Sequence, residues 1–162
     1  MGRPALPSDS QGAHWKISKS CCRGAFAEAE ADIRKLLETN KEDLDSYNLL
    51  HIIRAKRGLA DDPGYASLKP NRPPTLWRMV IADLYRGRQT LEQVEAAMKA
   101  ARSDPLQTGN WPCHAHFYLG EYRLEHGDIA GAKAEFGLYT AATCANGVMA
   151  AGLEDNKRLP PN

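Results

Sequence analysis

The chain has 162 residues, 43% of them apolar and 25% charged, with 21 basic and 20 acidic side chains and a formal net charge of +1. That is the composition of one globular domain with its own core. The balanced charge speaks against a nucleic-acid-binding protein, which carries a basic excess, and without a run of about eighteen apolar residues no transmembrane helix is expected.

Residues 1–20 are expected to form a disordered or damaged N-terminal segment. Pro4, Pro7 and Gly12 interrupt a polar stretch without periodicity, and only His14-Trp15-x-Ile17 suggests a short helix. The segment lacks the hydrophobic region of a secretory signal. Ile17-Ser18-Lys19-Ser20 ahead of Cys21 places a lysine where a lipoprotein box needs small apolar residues. The expectation is a cytoplasmic protein, with export or a periplasmic location left open should an upstream leader be missing.

A helical domain is expected over residues 21–159. Phe26, Ala29, Ile33, Leu36 and Leu37 recur at helical spacing within an alanine- and glutamate-rich segment. Asn40-x-x-Asp43 can cap a second helix whose apolar face is Leu44, Tyr47, Leu50 and Ile53 and which ends at Gly58. Residues 59–74 then break the rhythm. Asp62-Pro63-Gly64 signals a turn, and Pro70, Pro73 and Pro74 forbid a continuous helix. So long a connection either bridges the surface or marks a lost helix.

Helical pattern returns at Leu76, Trp77, Val80, Ile81, Leu84 and Tyr85. Thr90-x-x-Gln93 is a capping box for the next helix, with Leu91, Val94, Ala97, Met98 and Ala101 inside it. Ser103 to Asn110 reads as a loop, and Trp111-Pro112 opens another helix. Asn146-Gly147 ends its hairpin, and a more polar last helix is expected over about Val148 to Leu159. No alternating β-branched runs point to strands.

The most informative stretch is Leu119-Gly120, Gly127-Asp128, Ala132 and Phe136, which reads as two similar helices folded back at Gly127-Asp128. It resembles the tetratricopeptide (TPR) helical hairpin, a repeat that stacks into a curved solenoid. Units starting near Leu44, Pro74 and Cys113 follow at intervals of 30 and 39 residues, where a regular array steps by about 34. Gly24, Phe26, Ala29 and Ile33 supply only the second half of an earlier unit. Departures from the repeat pattern are Cys144, where proline is common, and His51, where a small residue is usual. Residues 77–159, with Phe117-Tyr118-Leu119-Gly120 and Cys144, are also similar to the small bacterial NlpI-like TPR group.

The resemblance implies an all-α fold: a short right-handed superhelix of antiparallel hairpins closed by a C-terminal capping helix. It further implies a non-catalytic adaptor that binds a peptide or partner protein in a concave groove. Carried onto this chain, that groove presents Asn48, Ile52 and Lys56, then Arg78, Ala82, Tyr85 and Arg86, then His114, Phe117, Glu121 and Glu125. Arg78 and Arg86 could take a carboxylate bidentately and Tyr85 and Phe117 could anchor a segment. The plainer alternative makes Tyr85 and Phe117 partly core and the arginines solubilising.

Other chemistry has thinner support. Cys113 and Cys144 lie 14 and 17 residues either side of Gly127, so at about 1.5 Å per helical residue they can share one end of the hairpin. Either a disulfide or two buried thiols fits that placement. Cys113, His114, His116 and Cys144 contain zinc-type ligands, yet no Cys-x-x-Cys or His-x-x-x-His pair is present, and His116 reads as a packed histidine. Cys21 and Cys22 are neighbours that cannot easily bridge each other. There is no nucleophile elbow and no phosphate loop; no enzyme activity, metal or cofactor is expected. Glu28, Glu30, Asp32, Glu42, Asp43 and Asp45 read as solvated faces and first-turn carboxylates. Two alternatives to the adaptor remain: self-association through an unpaired Phe26, Ile33 and Leu37 face, giving a homodimer, and a Cys/His metal or redox protein.

Overall fold

Four glycines set the punctuation of the fold. Gly24, Gly58, Gly87 and Gly127 have φ of 73°, 65°, 67° and 77°, a left-handed conformation that costs glycine nothing and other residues about 1–2 kcal/mol. At each one the backbone closes the preceding helical turn in the same way. The Gly58 N–H donates to Ala55 O at 2.9 Å and the Leu59 N–H to Arg54 O at 2.9 Å. Gly87 and Arg88 repeat this on Leu84 O and Asp83 O, and Gly127 and Asp128 on Leu124 O and Arg123 O. Gly24 and Ala25 do so on Cys21 O and Ser20 O. Successive closures are 34, 29 and 40 residues apart.

The computed structural model describes residues 16–17, 20–21, 23–68, 77–102, 111–141 and 159. Among them the chain is all-helical: α1 (Phe26–Thr39), α2 (Leu44–Lys56), α3 (Pro63–Ser67), α4 (Trp77–Tyr85), α5 (Leu91–Arg102), α6 (Trp111–Glu125) and α7 (Ile129–Ala141). α2, α4 and α6 are neighbours in succession; α1 packs on α2, α5 on α4 and α6, and α7 along α6. One apolar core joins Ile33, Leu50, Ile53, Ile81, Leu84, Val94, Leu119 and Phe136.

Local sequence explains most of these boundaries. The Thr90 N–H donates to Gln93 Oε1 at 2.9 Å and the Gln93 N–H to Thr90 Oγ1 at 3.3 Å, the reciprocal capping box. Asp128 caps α7 by accepting from the Gly131 N–H at 2.9 Å. Asp43 precedes α2, but its carboxylate accepts from Ser46 Oγ at 2.7 Å and makes no cap hydrogen bond to the backbone. The α6–α7 hairpin is drawn close at Gly120, where an added Cβ would lie 2.7 Å from Phe136 Cδ1. Only glycine leaves room for that ring.

Two parts of the chain are more structured than the sequence suggests. Ile17, Ser20 and Cys21 are helical and buried, and Ile17 and Cys21 belong to the main core. The short helix suggested at His14-Trp15-x-Ile17 is thus present at Ile17 and packs on the core of the helical domain. The same cluster holds Ile33 fully buried, with Phe26 and Leu37 packed against it, so much of the face foreseen as unpaired is occupied.

Within the proline-rich connection lies the short helix α3. Asp62 accepts from the Gly64 N–H at 2.8 Å and Pro63 fills the first turn. Tyr65 then inserts fully into a second cluster with Leu44 and Ala82. Its ring stacks on Tyr47, 5.8 Å between centroids, and its hydroxyl donates to Asn48 Oδ1 at 2.6 Å. One buried tyrosine thus anchors five residues that could not hold a helix by propensity alone. Of the helix expected near residues 148–159 only Leu159 is described, as a bend packed against the main core; the Cys144 end of the proposed disulfide lies outside the described residues, as do Cys22 and the side chain of Cys113.

Candidate functional site

On α2, residues 51, 52, 55 and 56 fall on one side because helical neighbours recur at three and four residues. The same spacing brings Glu121, Leu124 and Glu125 together on α6. These two faces enclose a cavity of about 240 Å³ lined by Ile52, Ala55, Lys56, Glu121, Leu124 and Glu125. Half the lining is aliphatic and half is charged.

Two side-chain bridges span the helices around it. Lys56 Nζ lies 2.8 Å from Glu121 Oε2, whose carboxylate is buried. His51 places Nδ1 3.0 Å from Asp61 Oδ2 and Nε2 3.1 Å from Glu125 Oε2. Its ring also stacks on Tyr85, 4.4 Å between centroids, and Tyr85 donates to Tyr118 O at 2.8 Å. Burial opposes the imidazolium, but the hydrogen bonds and charges of Asp61 and Glu125 outweigh it and raise the His51 pKa to about 9. The same contact, led by the His51 hydrogen bond, holds Glu125 below the ordinary glutamate value. At neutral pH the bridge is therefore a cation between two carboxylates.

Of the eleven residues singled out as groove-lining, Ile52, Lys56, Glu121 and Glu125 meet at this cavity. The others are placed elsewhere. Asn48 is 0% exposed and joins Tyr65 to Arg78 O, to which its Nδ2 donates at 3.3 Å. Phe117 is 2% exposed and sits in the main core. The Arg86 side chain is 4% exposed; it donates to Leu68 O at 3.0 Å and to Asp83 Oδ1 at 2.8 Å, pinning α3 to α4. Arg78 pairs with Asp45 and lies over the Trp77 ring at 4.5 Å. His114 packs on Trp77 from α6, 5.2 Å between centroids. Tyr85 stacks on His51, which bridges to Glu125 of the cavity wall, and Ala82 is fully buried beside Tyr65.

The carboxylates read as solvated are not all so. Glu30 has an 8% exposed side chain and is surrounded by Arg34, Arg54 and Arg57. Burial works against its charge, and the hydrogen bonds from Arg34 and Arg54 more than offset that, lowering its pKa. Asp45 is pushed up by burial despite Arg78 beside it. The reason is tertiary: Arg54 and Arg57 arrive from α2, 24 and 27 residues away in sequence, and helix-surface patterning carries no trace of them. His116 Nδ1 lies 2.7 Å from Glu135 Oε2 across the α6–α7 hairpin. Among the described residues no group of three His, Cys, Asp or Glu side chains is arranged to hold a metal ion, and no helix is long and apolar enough to cross a membrane.

His51 is the functional candidate that motif reading passed over. Its signal was present as a departure from the small residue usual at the matching position of the repeat that the sequence resembles. Comparison of the chain with family models, with curated proteins and with solved structures returned no match.

Proposed function

We propose that this chain is a non-catalytic, tetratricopeptide-like interaction module that holds a segment of a partner protein against the face shared by α2, α4 and α6. The observation that carries the reading is the cavity between α2 and α6, part aliphatic and part charged, set on helices rather than loops. The repeated glycine closures and the succession α2–α4–α6 support a short solenoid whose first helices form one continuous surface. Helix-borne side chains need little ordering on binding, so a few anchors suffice for useful affinity.

A photo-crosslinking residue at position 55, beside the cavity, tests this against the same residue at position 96, exposed on α5. Position 55 should trap a discrete partner from native lysate and position 96 should not. Equal trapping at both sites, or trapping only at 96, would remove the α2–α6 face as the binding surface.

A further inference from the structure

We infer that the α2–α6 cavity is the anchor pocket for one long basic side chain, a lysine or arginine projecting from the bound segment. The inference rests on the reading of this face as the partner-binding surface and adds the chemistry of the partner.

Size comes first. Small-molecule sites run to roughly 300–1,000 Å³, and at about 240 Å³ this cavity is suited to a single side chain. Its walls offer Ile52, Ala55 and Leu124 along an aliphatic stem. Lysine and arginine bury such stems while the charged head stays near polar groups.

Charge decides among the long side chains. The lining carries two carboxylates, Glu121 and Glu125, against one ammonium, Lys56. Lys56 lies against Glu121 at 2.8 Å. Just outside, the one His51 imidazolium is shared between Asp61 and Glu125, so the group as a whole carries one negative charge more than it has cations. Glu125 is 36% exposed at the mouth, and His51 on its Oε2 fixes its position. An incoming cation would meet a preorganised carboxylate and make a charge-assisted hydrogen bond. An acidic side chain would face Glu125 and have to compete with Glu121 for Lys56. A purely apolar one would strip water from charged groups and return nothing polar.

The test is selection of displayed random heptapeptides on the full chain, repeated on Ala55→Trp, which fills the cavity, and on Glu125→Gln. Peptides bound by the wild type and lost with Ala55→Trp should share one position restricted to lysine or arginine. Glu125→Gln should relax that position. In synthetic copies, arginine→citrulline or lysine→norleucine should weaken binding to the wild type about tenfold or more and leave binding to Glu125→Gln nearly unchanged. The peptide substitutions need no change to the protein, and helical circular dichroism checks that both variants are folded. Cavity-dependent peptides without a basic position, or indifferent to citrulline, would overturn the inference while the surface assignment stands. No peptide sensitive to Ala55→Trp would overturn both.

Discussion

Replacing His51 with phenylalanine isolates the charge that ties α2 to α6, because the aromatic ring can still stack on Tyr85. The folded-state pKa of about 9 against an ordinary 6.5 corresponds to about 3.5 kcal/mol at most, at about 1.4 kcal/mol per unit. Asp61 and Glu125 are each about one third exposed, so solvent screening reduces the realised value to about 1–2 kcal/mol. A raised histidine pKa contributes stability that is complete below about pH 6.5 and disappears as pH climbs through about 9. Urea unfolding of wild type and His51→Phe at constant ionic strength, from pH 6 to 10, gives the difference directly. Wild type should be the more stable by about 1–2 kcal/mol at pH 6.5, and the two curves should converge near pH 10. Glu125 acts in the opposite direction: its lowered pKa adds stability that is present above the ordinary glutamate value and is lost on acidification, and that loss should also shrink in the variant. Parallel curves from pH 6 to 10, or an imidazole NMR midpoint near 6.5, would refute the bridge.

Two further perturbations test the packing. Gly120→Ala gains about 0.8–1 kcal/mol of helix propensity but drives a Cβ into Phe136, whose ring is fully buried; overpacking of about 1–3 kcal/mol should dominate. The variant should melt lower, with Phe136→Leu restoring part of the loss, and a variant as stable as wild type would count against the tight α6–α7 contact. Glu30→Gln leaves three guanidinium groups around a neutral side chain; because Arg34 and Arg57 are 45% and 34% exposed, solvent screening holds the cost to about 1–2 kcal/mol by urea unfolding, whereas a change under about 0.5 kcal/mol would return Glu30 to the solvated face of a helix.

Helix existence and most helix ends were legible because their causes are local. Thr90 and Gln93 cap each other within four residues, Gly58 and Gly127 terminate helices with their own neighbours, and Gly120 needs only the facing helix of its own hairpin. Tyr65 was not legible. Nothing in Asp62-Pro63-Gly64-Tyr65 says that the ring will be taken up by Leu44, Tyr47 and Ala82, so the prolines dominated the reading. The candidate site divides in the same way. The repeat resemblance placed Ile52 and Lys56 on one helix face and Glu121 on another, but gave no depth. Asn48 and Arg86 share the corresponding register and are used by the fold, because Tyr65 and α3 cover the part of α2 and α4 where they emerge, while Phe117 of α6 is taken into the main core. Arg54 and Arg57 reach Glu30 across 24 and 27 residues and Glu125 reaches His51 across 74, beyond any periodic pattern.

That separation bears on how the site is built. His51 and Glu125 are 74 residues apart, and Lys56 and Glu121 are 65 apart, yet α2 and α6 owe their relative placement to packing on α4 between them. The uneven intervals of 34, 29 and 40 residues between glycine closures do not disturb this. The short interval contains α3, a single turn fixed by Tyr65 and Arg86, and the long one contains the connection from α5 to α6. Length varies where α2, α4 and α6 are joined and not where they touch. The cavity is thus a property of three stacked helices, with its charged groups on the outer two and Tyr85 of the middle one supporting His51 from below. A chain that kept every cavity residue but lost the packing of Leu84 or Ile81 in α4 would keep the letters of the site and lose its geometry.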